Sequence, residues 1–121
     1  MKTVLIVEDQ AEIRELIRVT LEFDRFDLHE AASGAEGLAA AERLKPDLVM
    51  LDVVMPGGLD GVEVCKRIRA HPDLGHTRVV MLSAKSQAAD LSAGKDAGAD
   101  AYLTKPFSPL ELMDVVQRVL R

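Results

Sequence analysis

Five short apolar runs, each followed by a segment with helical periodicity, leave this chain few folds to choose from. The runs are Thr3–Val7, Phe26–Ala31, Leu48–Leu51, Val79–Leu82 and Ala101–Thr104. The first and third are nearly continuous apolar stretches, as in central parallel strands covered on both faces. Phe26-Asp27-Leu28-His29 alternates instead, which suits a strand nearer an edge. Between the runs, Ile13, Leu16, Ile17, Thr20 and Leu21 follow the spacing of a helix with one buried face. Leu112, Val115, Val116 and Val119 form the corresponding stripe of the last helix. Asp9 with Glu12, Ser33 with Glu36, and Ser108 with Glu111 resemble capping boxes, and Gly98 after Lys95-Asp96-Ala97 reads as a helix stop. Strict alternation predicts one α/β domain over residues 1–121, a doubly wound, five-stranded parallel sheet with five helices on its two faces. Right-handed crossovers follow from the general rule. Repeats, linkers and low-complexity tracts are absent, and the chain closes on its fifth helix, so no output domain is expected within it.

The bulk numbers narrow the partners. With 15 basic and 20 acidic residues the net charge is -5, which argues against direct binding to nucleic acid or anionic membranes. No apolar run approaches the ~20 residues of a membrane span, and the N-terminus lacks the layout of a signal peptide. The single cysteine, Cys65, can form no internal disulfide and suits a reducing cytoplasm, most simply as a small residue on a helix flank. His29, His71 and His76 lack metal-ligand spacing and are expected at the surface.

In a parallel sheet, ligands bind in the crevice beyond the carboxyl ends of the strands. Glu8-Asp9 follows the first run, Asp52 the third and Lys105-Pro106 the fifth, so three acids and one lysine converge on that edge. Three close carboxylates repel one another unless a cation neutralises them, and Mg2+ suits an all-oxygen site with open positions. Alone, Glu8-Asp9 would read as first-turn acids favoured by a helix dipole, and Asp52 as an ordinary strand-end aspartate. Together they make Asp52 a candidate nucleophile toward phosphorus, with Lys105 supplying a compact positive charge to phosphoryl oxygens. Pro106 fixes the backbone after Lys105, and the Lys105–Pro106 bond can be cis. Ser83, at the end of the fourth run, offers a hydroxyl either to a phosphoryl oxygen or to a helix cap. Tyr102, the single tyrosine, lies within the fifth run with its ring free to face in or out.

Taken in order, Glu8-Asp9, Asp52, Ser83, Tyr102 and Lys105-Pro106-Phe107 resemble the receiver domains of two-component response regulators, including the single-domain chemotaxis-regulator type. The resemblance covers essentially the whole chain. Asp52-Val53-Val54-Met55-Pro56 and the stretch from Gly98 to Phe107 carry it most strongly. It implies a flavodoxin-like sheet of order 2-1-3-4-5, an order for which the general rule itself names a chemotaxis receiver as an example. It also implies that Asp52 accepts a phosphoryl group from a phosphohistidine on a sensor histidine kinase or phosphotransfer protein. Asp9, Asp52 and the backbone carbonyl of Val54 would ligate Mg2+, with Glu8 acting through a water. Ser83 and Lys105 would bind the phosphoryl oxygens, Ser83 would move toward them, and Tyr102 would turn inward. The face of the fourth helix, fifth strand and fifth helix would then change its protein partners. The implied protein is a cytoplasmic switch rather than an enzyme, a monomer or a weak phosphorylation-dependent dimer.

Some positions depart from the family pattern. The loop from Met55 to Gly61 is one residue longer than the commonest form, and Gly57-Gly58 can absorb the insertion. Ser83 replaces a frequent threonine, Glu8 a frequent aspartate, and Ala101 a frequent acid that contributes to dimer salt bridges in many DNA-binding regulators. Val54 and Lys85 predict slow loss of the phosphoryl group, because apolar Val54 cannot orient an attacking water and Lys85 partly shields its path. A second reading makes the chain the receiver portion of a longer hybrid kinase or transcription regulator. Met1 and a start directly in the first strand favour a free or N-terminal receiver. A third reading, a small Mg2+-dependent phosphatase, wants a second acid two residues after the nucleophile, where Val54 stands, and a cap segment. Val7-Glu8-Asp9-Gln10 occupies the place of a Gly-rich nucleotide loop, which disfavours nucleotide binding.

Overall fold

The computed structural model describes residues 1–55, 57–84 and 97–121. Its strands are β1 (Lys2–Val7), β2 (Phe26–Ala31), β3 (Leu48–Asp52), β4 (Arg78–Ala84) and β5 (Ala101–Lys105). Four α-helices are described: α1 (Ala11–Leu21), α2 (Gly34–Leu44), α3 (Gly61–Ala70) and α4 (Pro109–Val119). A 3-10 turn at Pro72–Leu74 precedes β4. The fifth helix expected between the fourth and fifth strands, and Lys85 with it, falls outside the described residues. The sheet is wholly parallel, in the order β2-β1-β3-β4-β5.

Each strand keeps the bounds read from sequence or extends them by one or two residues. The alternation of side chains along them divides the core into two layers. Leu5, Val7, Val49, Leu51, Val79 and Met81 pack under α2 and α3, against Ala40, Ala41, Val64, Cys65 and Ile68. Val4, Ile6, Leu48, Met50, Val80 and Leu82 pack under α1 and α4, against Ile17, Leu21, Leu112 and Val116. β1 and β3 are therefore buried on both sides, as their unbroken apolar runs require. β2 lies at an edge, with Asp27 and Glu30 exposed.

Three expectations need correction. Leu16 is 40% exposed, on the shoulder of α1 rather than in its buried stripe. Cys65 is not on a flank but fully buried, where its thiol donates to the Ala97 carbonyl (3.5 Å) and burial pushes it up to about 11. Asp9 forms no capping box: the residue before α1 is Gln10, which makes no side-chain cap. Ser108 and Glu111 do form one, whereas Ser33 accepts from the Glu36 amide while the Glu36 carboxylate takes the amide of Ala32. Gly57 and Gly98 have φ of 96° and 97°, a region in which side chains other than hydrogen are strained. The helix that Gly98 was expected to stop lies among the undescribed residues.

Candidate functional site

The carboxyl ends of β1, β3 and β5 bring the charged groups together. Glu8 continues the line of β1, its N–H donating to the Ala31 carbonyl at 3.1 Å. Asp52 is the last residue of β3, in register with Leu82, and Lys105 the last of β5, in register with Ala84. Alternation puts Glu8 in phase with Val4 and Ile6, Asp52 with Leu48 and Met50, and Lys105 with Leu103. All three side chains thus rise from the layer shared with α1 and α4. Lys105 Nζ stands 2.7 Å from Glu8 Oε1 and 3.2 Å from Asp52 Oδ2. Asp9 enters from the turn before α1, and one oxygen from each of Glu8, Asp9 and Asp52 lies within 4.8 Å of the others. Because Asp9 precedes the cap position, its carboxylate belongs to this group instead of to the helix. The Lys105–Pro106 bond is cis.

Burial governs the electrostatics. Glu8 is fully buried and Asp52 6% exposed. Desolvation, reinforced by hydrogen bonding with Asp52, overrides the opposing effect of Lys105 and pushes Glu8 up to about 7. For Lys105 burial works downward, but the hydrogen bond to Glu8 and the charge of Asp52 outweigh it and hold the ammonium above its usual value. One ammonium facing three carboxylates leaves an excess of negative charge on oxygen donors. That donor set fits a hard divalent cation, which would offset both the desolvation and the neighbouring carboxylate charge that raise Glu8.

Ser83, the residue before the end of β4, is 1% exposed, and its Oγ has no hydrogen-bond partner among the described residues. It is in phase with Val79 and Met81, on the opposite face from Asp52 and Lys105. Tyr102 shares that face: it pairs in register with Met81 and packs, half-buried, against the same core layer. Val54 stands at the rim, 52% exposed, its N–H donating to Asp52 Oδ1 at 3.3 Å. His29, His71 and His76 lie away from the strand ends and pair instead with Asp27, Glu42 and the Lys45 carbonyl.

Two contributors escaped the sequence reading. A Cβ on Gly61 would fall 1.9 Å from the Asp52 carbonyl oxygen, so the start of α3 reaches the back of Asp52 only because residue 61 is glycine. The clue was present, since Asp60 caps α3 by accepting from the Glu63 amide with the same spacing noted elsewhere. Arg14 is the second: its NH1 donates to the Glu8 carbonyl at 2.8 Å. No local pattern announces that contact.

Comparison with known proteins agrees with this arrangement. The family model described as the response regulator receiver domain matches residues 4–117. The transcriptional regulatory protein ResD of Bacillus subtilis is 42% identical over 118 residues, which are 98% of this chain and 48% of ResD. The chain spans about half the length of the curated relatives it matches. Among solved structures, the chemotaxis response regulator CheY4 of Vibrio cholerae superposes with a TM-score of 0.91 at 35% identity, covering 99% of both chains. The signal receiver domain of a histidine kinase from Syntrophus aciditrophicus gives 0.90 at 31% identity, over 99% of this chain and 90% of that one. With the sheet order, the acidic edge and these matches in agreement, the chain belongs to the response regulator receiver domain family of two-component signal transduction.

Proposed function

We propose that Asp52 accepts a phosphoryl group from a phosphohistidine on a sensor histidine kinase or phosphotransfer protein, in a Mg2+-dependent reaction. The observation that carries this reading is the convergence of Glu8, Asp9 and Asp52 oxygens within 4.8 Å, with Lys105 Nζ on two of the three residues. An Asp52 carboxylate oxygen attacks phosphorus, the new P–O bond forms an acyl phosphate, and the P–N bond to the donor imidazole breaks. Asp9, Asp52 and the Val54 carbonyl would hold the cation, with Glu8 behind a water, and when bound it would supply positive charge to the phosphoryl oxygens. Lys105 takes a further phosphoryl oxygen.

Ser83 offers its hydroxyl to another. Its buried Oγ has no partner among the described residues, so an incoming acceptor oxygen would satisfy it. Tyr102, on the same sheet face, turns inward as Ser83 leaves. The surface of β5 and α4, with the undescribed segment before β5, then favours a different protein partner. A change from 1:99 to 99:1 needs only about 5.5 kcal/mol of differential binding. Receiver domains are signalling modules, and we read this one as a cytoplasmic protein switch rather than an enzyme. Among the described residues no helix is long and apolar enough to cross a membrane.

The test is intact mass after incubation with acetyl phosphate, with and without Mg2+. One Mg2+-dependent adduct on the wild type, absent from Asp52→Asn, is expected. Failure to form it both with acetyl phosphate and with a purified phosphohistidine donor would leave only a phosphorylation-independent binding module. The half-length match to transcriptional regulators supports a second reading, in which this receiver works as one portion of a longer regulator or kinase. A reading frame extending beyond residue 121 decides for it.

A further inference from the structure

Glu8 is held at every polar atom it possesses. Its N–H donates to the Ala31 carbonyl (3.1 Å), its carboxylate takes Lys105 Nζ (2.7 Å) and the Gln10 amide (3.3 Å), and its carbonyl takes Arg14 NH1 (2.8 Å). Arg14 reaches back from the second turn of α1 and is anchored at the other side of its guanidinium, where Nε donates to Glu30 Oε1 at 3.0 Å. Glu30 is in register with Ile6, near the carboxyl end of β2. The guanidinium therefore ties the ends of β1 and β2 to α1 across the turn that carries Asp9. That turn needs an anchor, because Gln10 makes no side-chain cap at the start of α1.

We propose that Arg14 is a positioning residue for the acidic site: its clamp on the Glu8 carbonyl fixes the turn between β1 and α1, and with it the place of the Asp9 carboxylate. The inference rests on the cation-binding reading given above. Two features favour positioning over a direct electrostatic effect. The contact is to a backbone carbonyl rather than to a carboxylate of the site. The arginine charge is also balanced by Glu30, so the pair adds little net field at Asp9 or Asp52. The planar fork of arginine spans both acceptors at once, a geometry that a lysine ammonium cannot reproduce.

The experiment compares wild type, Arg14→Met and the control Arg78→Met, which removes an exposed pair with Asp100 at the amino end of β4, the opposite end of the strand from the site. Amide hydrogen exchange at Asp9 and Gln10 is measured without metal, and Mg2+ affinity by direct titration. Arg14→Met is expected to speed exchange at Asp9 and Gln10 and to weaken Mg2+ binding about tenfold, the low end for losing a partner behind a metal ligand. Arg78→Met should change neither. Unchanged exchange with unchanged affinity overturns the proposal. Tighter Mg2+ binding overturns it as well, since that is the sign of a simple charge effect. If Arg14→Met does not fold, Arg14→Lys carries the same measurements. If wild type binds no Mg2+, the functional reading fails, and exchange in the metal-free protein still decides on the clamp.

Discussion

Two ionic clusters lie at opposite ends of the sheet, and they are built on different principles. At the amino ends of β4 and β5, Arg69 donates to the carbonyls of Gly98 (2.8 Å) and Thr77 (2.7 Å) and to Asp100 Oδ2 (2.5 Å). Asp100 also accepts from the Val79 amide at 2.7 Å and faces Arg78 at 3.6 Å. Both arginines share Asp100, Arg69 is further bonded to two carbonyls, and a Cβ on Gly98 would lie 2.9 Å from the Arg69 side chain. At the carboxyl ends, one lysine touches two of three clustered carboxylates, burial raises the pKa of a glutamate, and a buried hydroxyl has no partner among the described residues. A closed network stabilises the fold that contains it. An open one leaves groups strained until a ligand arrives, which is how a functional site differs from a brace made of the same residue types.

Substitutions can break this contrast at either end. The largest effect is expected from Asp52→Asn, which should abolish the acetyl phosphate adduct in intact-mass spectra while leaving the protein folded. Arg69→Met should do the reverse. Losing charge-assisted bonds with a partly buried partner costs about 2 kcal/mol, read by urea unfolding, with Mg2+ affinity unchanged.

The third prediction concerns pH. Glu8 has its folded pKa raised to about 7, above the ordinary carboxylate value of 4.5. The folded state therefore holds a proton that the unfolded chain gives up sooner. The associated stability is full below about 4.5 and is lost as pH rises toward about 7. Metal-free protein should lose Tm across that window, Glu8→Gln should flatten the loss, and saturating Mg2+ should restore stability at its upper end. A Tm that does not fall between those limits would show that the site is not under charge strain. The smallest change is expected at the rim: Val54→Asn, by giving an attacking water a hydrogen-bonding partner, should shorten the acyl phosphate lifetime several-fold. An unchanged decay rate sinks that idea.

The sequence was informative wherever structure repeats on a short period. β1 and β3 were legible because strands covered on both faces must be apolar at every position. The cap at Ser108 was legible because its partner Glu111 is three residues away. Asp9 was read as both a cap and a ligand; the structure rules out the cap and sets its carboxylate beside those of Glu8 and Asp52. Leu16 and Cys65 were misplaced because helical periodicity gives a direction around an axis but not the height of the neighbouring layer. Cys65 is buried with its thiol on the Ala97 carbonyl, whereas Leu16 is 40% exposed.

What the sequence determined by itself was the order of elements, the apolar faces of the central strands, and the set of charged residues that follow them. Parallel strands, once inferred, carry Glu8, Asp52 and Lys105 to one edge without further information. Tertiary structure alone decided that Lys105 touches Glu8 and Asp52, that Ser83 and Tyr102 share the other face, and that Gly61 and Arg14 meet the backbones of Asp52 and Glu8. These contacts join residues as far as 97 positions apart, over distances of a few ångström. Local propensity carries no record of such separations. Only the packing of helices on both faces of the sheet brings those atoms to bonding distance, and burial then gives the contacts their electrostatic weight.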